Sequence, residues 1–306
     1  MCPQFVDFNA DGHIDIITAT FEGTAFIVAG SEAGWKTPEH LTDAQGRHIV
    51  LSLYYDFVAR KYDNAERSPE GQSNPKDHMV STMVFDWDGD GDYDLLLGAK
   101  EGRLYLQLNE GKPGEPKFTG VNQLLTTADG KEFCVPGGLT APRAVDWDKD
   151  GLTDLVCGSF AGGVYLYRNV GKAGAPVFAA PTVLIPVAVN KPGEAVAPTS
   201  GVYADPVDYD GDGDLDLLVG GYANWTPQKR ELTEEEQKHL TEVQARMNTL
   251  RTTMTETYQK LRANGESTSN PEYRALITEY QALSTEIQKL VPYPRRDAGI
   301  WLYRRQ

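Results

Sequence analysis

The stretch Asp208-Tyr209-Asp210-Gly211-Asp212-Gly213-Asp214-Leu215-Asp216 crowds five carboxylates into nine residues. Such a cluster is strongly self-repulsive unless a cation neutralises it. Aspartates at alternating positions 1, 3 and 5, a glycine at position 6 for a turn that needs positive φ, and a closing aspartate at position 9 make an oxygen cage for a hard cation. The spacing recurs as Asp7, Asn9, Asp11, Gly12 and Asp15, as Asp86, Asp88, Asp90, Gly91 and Asp94, and as Asp146, Asp148, Asp150, Gly151 and Asp154. Four copies in register argue against chance acidic turns.

Calcium is the expected guest, up to four ions in all. Side chains at positions 1, 3, 5 and 9 would be joined by the backbone carbonyl at position 7, supplied by His13, Asp92, Leu152 and Asp214. The first loop carries Asn9 in place of a carboxylate and should bind most weakly. An EF-hand opens with the same ligands but requires a bidentate Glu at position 12. Here that position holds Thr18, Leu97, Cys157 and Val219.

Each loop leads into a strand rather than a helix. Residues 93–98, 153–158 and 215–220 are short apolar runs ending in glycine, the pattern of a strand buried on both faces. The loops begin at residues 7, 86, 146 and 208, and the second and third units align through Gly98 and Gly158, Tyr105 and Tyr165, Asn109 and Asn169, and Phe118 and Phe178. Each unit reads as four strands. In the second these are 82–85, 93–98, 103–108 and a stretch near 122–127, with Leu104, Leu106 and Leu108 on one face of the third strand and Tyr105 and Gln107 on the other. Four-stranded units repeating at about 60 residues predict an all-β fold of β-propeller blades. The expected blades are 5–81, 82–143, 144–204 and 205–306.

The run Asp154-Leu155-Val156-Cys157-Gly158, followed by Gly163-Val164-Tyr165-Leu166-Tyr167-Arg168-Asn169, resembles the FG-GAP or VCBS repeat, the calcium-binding blade of integrin α subunits and many secreted bacterial proteins. The resemblance covers all four units, and the aspartate loop is its most specific part. The Phe-Gly and Gly-Ala-Pro landmarks of the integrin version are not intact, so integrin-like ligand recognition is not implied.

Phe8, Trp87, Trp147 and Tyr209 recur at position 2. A ring recurring at one column is expected to pack one blade on the next rather than to stack on sugar.

Two stretches break the period. The first unit carries extra residues within 49–79, including Tyr54, Tyr55, Arg60, Lys61, Tyr62 and His78, with the loop-forming segment 68–75. In the fourth unit the third strand, Gly299-Ile300-Trp301-Leu302-Tyr303, arrives about 74 residues late. The interruption, residues 231–290, is expected to be an antiparallel helical hairpin. Leu240, Val243, Met247, Leu250, Met254 and Leu261 fall on heptad positions, as do Tyr273, Leu276, Tyr280, Leu283, Ile287 and Leu290. Thr233 with Glu236 forms a capping box, Asn270-Pro271 starts the second helix, and Asn264-Gly265 marks the turn.

The net charge of −15 belongs largely to the loops, which hold 17 of the 44 acidic residues, and it argues against nucleic acid or an anionic membrane as partner. Three cysteines make no paired framework, and no apolar run is long enough to span a bilayer. No Walker loop, G-x-S-x-G elbow or H-E-x-x-H motif is present. His40, His48 and His78 read as satisfied surface histidines.

The expected function is a calcium-stabilised, extracytoplasmic binding or adhesion module for a glycan or protein ligand, secreted, periplasmic or at the cell surface. A longer parent would supply the signal peptide and further blades. The alternatives are a polysaccharide lyase-like enzyme using the Tyr, Arg and His residues of 54–78, or a scaffold that docks a partner or a second copy through the hairpin. Successive turns of an antiparallel blade alternate between its two ends. Both irregular stretches should therefore leave from the end opposite the aspartate loops, placing ligand contacts at Tyr54 to Tyr62, including Arg60, at Tyr222 to Trp225 and at the hairpin.

Overall fold

The computed structural model describes residues 3–20, 22–64, 77–139 and 141–305. The segment 68–75 lies outside them. The chain divides into two compact units, one of Met1–Val189, Ala197–Ala223 and Asp297–Gln306, the other of Asn190–Val196 and Asn224–Arg296.

The first unit is built of antiparallel sheets in chain order. The first sheet holds β1 (Gln4–Val6), β2 (Asp15–Ala19), β3 (Ala25–Val28) and β4 (Glu39–His40). After a two-stranded ribbon, β5 (Leu53–Asp56) and β6 (Lys61–Asn64), comes the second sheet of β7 (Met79–Phe85), β8 (Asp94–Ala99), β9 (Leu104–Gln107) and β10 (Gln123–Leu124). The third follows with β11 (Ala141–Val145), β12 (Asp154–Gly158), β13 (Val164–Tyr167) and β14 (Thr182–Ile185). The last sheet has three strands, β15 (Ser200–Val207), β16 (Asp216–Trp225) and β17 (Arg295–Tyr303).

The second strands of the second and third repeats, β8 and β12, are buried on both faces because each lies between two cores, whereas β2 alternates and β16, expected to be buried on both faces over 215–220, leaves Leu218 and Gly220 half-exposed because it belongs to the last sheet. Leu95 and Leu97 of β8 join Ile17, Ala19 and Ala25 of the first sheet, while Leu96 joins Leu155, Cys157 and Tyr167 of the third. Strand β9 alternates as its sequence requires, Tyr105 toward the first core and Leu104 and Leu106 toward the second. Val156, Val164 and Leu166 then pack on Val202, Leu217 and Val219. Each Val, Leu or Ile side chain fully buried in this way contributes about 1.5–3 kcal/mol.

The position 2 aromatics do this packing too. Phe8 stacks on Tyr93 and Phe118 of the next sheet at 6.3 Å, and Trp87 meets Phe178 at 6.0 Å. Trp147 is covered by Arg305 at 5.1 Å, whereas Tyr209 stays 56% exposed.

A recurring turn follows the fourth strand. Ala44 N–H donates to the Phe118 carbonyl of the second repeat, and Ala128 N–H to the Phe178 carbonyl of the third repeat. The aligned stretches 41–51 and 125–135, with Gly46 and Gly130 at one column, carried the signal for it.

The second unit contains α1 (Glu234–Ala263) and α2 (Pro271–Leu290). Thr233 and Glu236 form the capping box, and the Asn270 side chain accepts from Glu272 and Tyr273 N–H. Helix α1 is capped by Asn264, and the next residue, Gly265, turns the chain at φ 68°, where Gly265 N–H reaches the Arg262 carbonyl and Glu266 N–H that of Leu261. Val243, Leu250 and Leu283 form the seam with Met247, Met254, Leu276, Tyr280 and Ile287. The exposed pairs His239–Glu286 and Arg246–Glu279 join the two helices in that antiparallel register. Among the described residues no helix is long and apolar enough to cross a membrane.

Candidate metal centres

All four aspartate loops share one backbone framework. The carboxylate at position 1 accepts the N–H of the position 6 glycine, at 3.0 Å for Asp7, 3.2 Å for Asp86, 3.0 Å for Asp146 and 3.1 Å for Asp208. The position 5 carboxylate accepts the position 7 N–H in every copy, from His13, Asp92, Leu152 and Asp214. Position 6 is left-handed throughout, with φ between 86° at Gly12 and 94° at Gly91. Position 4 is left-handed as well, at Ala10 (55°), Gly89 (80°), Lys149 (62°) and Gly211 (76°). Gly89 and Gly211 at one column were the clue to that second strained position, which the spacing of the acids alone does not reveal.

The position 9 aspartates do more than close a loop. One oxygen of Asp15, Asp94 and Asp154 accepts the position 2 N–H from Phe8, Trp87 and Trp147. The other accepts an N–H just beyond the third strand, from Gly30, Asn109 and Asn169 at 2.7–2.8 Å. In the fourth copy Arg305 N–H supplies that bond to Asp216 across 89 residues instead of the 15 at Asn169, a difference of 74 that matches the expected interruption. The second Asp216 oxygen is buried without a hydrogen-bond partner.

Three loops gather carboxylates closely enough to share an ion. The groups are Asp86, Asp88 and Asp90, then Asp146, Asp148 and Asp154, then Asp208, Asp210 and Asp212, with ligand atoms within 4.8 Å of one another. Asp94, Asp150 and Asp216 lie outside these tightest groups. Among the described residues the first loop, with Asp7, Asn9, Asp11 and Asp15, forms no such group of three carboxylates. All the donors are oxygens, and among the described residues no lysine or arginine pairs with the carboxylates of the second loop. Burial and the charges of Asp90, Asp88 and Asp86 push Asp92 up to about 6, and burial does the same to Asp94. These donors fit a hard divalent cation.

Two loops carry cations of their own. Arg168 pairs with Asp148, and Arg304 pairs with Asp210 at 3.4 Å. Adjacent units also seat on the loops: a β-carbon at Gly174 would lie 2.4 Å from the Asp88 carbonyl oxygen, and one at Gly114 would lie 2.7 Å from that of Asn9. Only glycine allows that approach.

Away from the loops, the histidine reading needs correction. His78 is 7% exposed and lies under the turn at Gly23, because the β5–β6 ribbon returns over it. His40 stacks between Phe26 and His48, each at 4.0 Å. Trp225 is not an open aromatic platform, since the Arg295 guanidinium covers its ring at 5.6 Å.

Residues 86–157 and 146–219 each match the FG-GAP-like repeat family, so the chain carries FG-GAP-like repeats across that span. Among curated proteins, no sequence matches the chain.

Proposed function

We propose that the chain is a calcium-stabilised array of propeller-type blades that acts outside the cytoplasm as a binding or adhesion module. The observation that carries this reading is the four-fold recurrence of one hydrogen-bonded aspartate loop with an all-oxygen donor set. In each loop the side chains at positions 1, 3, 5 and 9 and the position 7 carbonyl would hold calcium, which supplies the charge that the crowded carboxylates lack. Extracellular calcium modules work at dissociation constants of about 10⁻⁴ to 10⁻³ M, so occupancy calls for a compartment with millimolar calcium. That supports export.

Ligand contact is assigned to the departures from the repeat, because elaborated loops on a repeat protein are often its binding face. The β5–β6 ribbon supports this, exposing Phe57 (66%), Val58 (96%) and Tyr62 (55%) beside Arg60. The helical hairpin is the second candidate surface. A glycan and protein binding screen in millimolar calcium tests the assignment. Binding to the ligand so found is expected to fall about tenfold or more in a Phe57→Ser, Val58→Ser, Arg60→Asn variant with unchanged melting temperature. Full binding after removal of both the ribbon and the hairpin would refute it.

A further inference from the structure

The second and third repeats each send an aromatic ring against the position 2 ring of the repeat before. Phe118 lies beside Phe8 and Phe178 beside Trp87, both of them buried. The backbone around that ring is bonded in one way in both places. Its carbonyl accepts an N–H from the preceding repeat, that of Ala44 for Phe118 and of Ala128 for Phe178. The N–H after the ring, of Thr119 or Ala179, donates to the Leu108 or Arg168 carbonyl just beyond the third strand.

Between the third and fourth repeats no described residue supplies such a ring. A cavity of about 330 Å³ lies there instead, walled by Trp147, Leu184, Ile185, Leu215, Leu217 and Tyr303. Trp147, Ile185, Leu217 and Tyr303 hold the columns of Trp87, Leu125, Leu155 and Tyr167, which share one core with Phe178. The cavity is therefore the third copy of the place that Phe118 and Phe178 fill. Its backbone partners stand ready too. Ala188, at the column of Ala44 and Ala128, has an N–H with no carbonyl acceptor among the described residues. Val187 beside it is 48% exposed, where Thr127 at the same column is 6% exposed. The Arg305 guanidinium lies over the Trp147 ring at 5.1 Å and donates to its carbonyl at 3.0 Å, covering the indole without filling the cavity.

We infer that this cavity docks an extended peptide of another chain that carries a phenylalanine side chain. The ring would enter against Trp147, its carbonyl would take the Ala188 N–H, and the following N–H would reach the Arg304 carbonyl, at the column of Arg168. Burial of the ring gives affinity, and the two backbone bonds fix the register. The occupant is extended rather than a copy of the whole turn before Phe118 or Phe178. That turn seats Gly114 against the Asn9 carbonyl beside Ala10, and Gly174 against the Asp88 carbonyl beside Gly89. The third loop has Lys149 at this column, held on Asp214 at 2.9 Å, which puts a long side chain where the turn would lie.

The test titrates the full chain, in millimolar calcium, with the capped peptide Ala-Pro-Val-Phe-Ala-Ala, the sequence of residues 175–180, and with the same peptide carrying Phe178→Ala. Calorimetry is expected to show saturable binding of the first and at least tenfold weaker binding of the second. Leu184→Asp, at a half-buried wall position, should abolish binding. Ala188→Pro, which removes the N–H donor, should weaken it about tenfold, with melting temperatures showing that both variants fold. Arg305→Ala uncovers the indole and should strengthen it. The ribbon variant with Phe57→Ser, Val58→Ser and Arg60→Asn should bind the peptide unchanged, which keeps this site distinct from the ligand surface assigned above. No binding, equal binding of the two peptides, undiminished binding in both Leu184→Asp and Ala188→Pro, or self-association of the chain with no response to either peptide would overturn the inference.

Discussion

Asp154→Ala is expected to destabilise the chain by about 3–5 kcal/mol in the absence of calcium, lowering its melting temperature by roughly 10 °C. Asp154 is 1% exposed, and its two oxygens accept the buried N–H groups of Trp147 at 3.1 Å and Asn169 at 2.7 Å. Alanine leaves both donors buried and unpaired. Asp150 makes the instructive contrast, because it is exposed and its hydrogen bond goes to the N–H of Leu152 within the loop. Asp150→Ala should therefore weaken calcium binding while leaving calcium-free stability nearly unchanged. Thermal melts of both variants with and without chelator read the difference. An unchanged calcium-free melt for Asp154→Ala would show that position 9 is a ligand and nothing more.

The second large effect lies away from the loops. Asp77 is 1% exposed, pairs with Arg103 at 3.1 Å and accepts the hydroxyl of buried Tyr105. Its carbonyl also receives Ser52 and Leu53 N–H, tying the ribbon's entry to the start of β7. Asp77→Ala is expected to cost about 3 kcal/mol by leaving Tyr105 and one side of Arg103 without an acceptor. Burial nevertheless raises the Asp77 pKa from 3.8, outweighing the pull of Tyr105 and Arg103. The folded state therefore holds the proton more tightly than the unfolded chain. This contribution to stability is full below about pH 4 and is lost as pH rises through the folded value. Asp77→Asn should cost little near neutrality and flatten that part of the pH profile. Urea unfolding at several pH values checks both variants, and equal losses from alanine and asparagine would contradict the account.

How legible this was from residues alone differed from feature to feature. The second-unit strands and the helices stood out because their side-chain periods are strict: Leu104, Tyr105 and Leu106 alternate, and Val243, Leu250 and Leu283 meet across a heptad seam. The capping box at Thr233 was equally plain, since both of its bonds join residues three apart. What escaped was the work done by side chains on distant backbone. Asp154 looked like one more acid in an acidic loop, and its bond to Asn169 depends on how the third strand folds back. The aligned Asn109 and Asn169 columns carried a hint of it, since each side-chain oxygen gathers two N–H groups of the following turn. The ribbon was read only as extra residues because Leu53–Asp56 and Lys61–Asn64 have no counterpart in the other units. The pairing of Arg168 with Asp148 was equally hidden, because the two residues belong to different strand ends.

On the function proposed above, the aspartate loops bind calcium and the fold depends on it. Calorimetric titration of calcium into the metal-free chain, with melting temperatures recorded alongside, tests this most directly. Saturable binding of up to four ions is expected at about 10⁻⁴ to 10⁻³ M, weakest at the Asn9 loop, with a melting temperature that climbs as calcium is added. No binding heat, together with a melting temperature indifferent to calcium and to chelator, would contradict it.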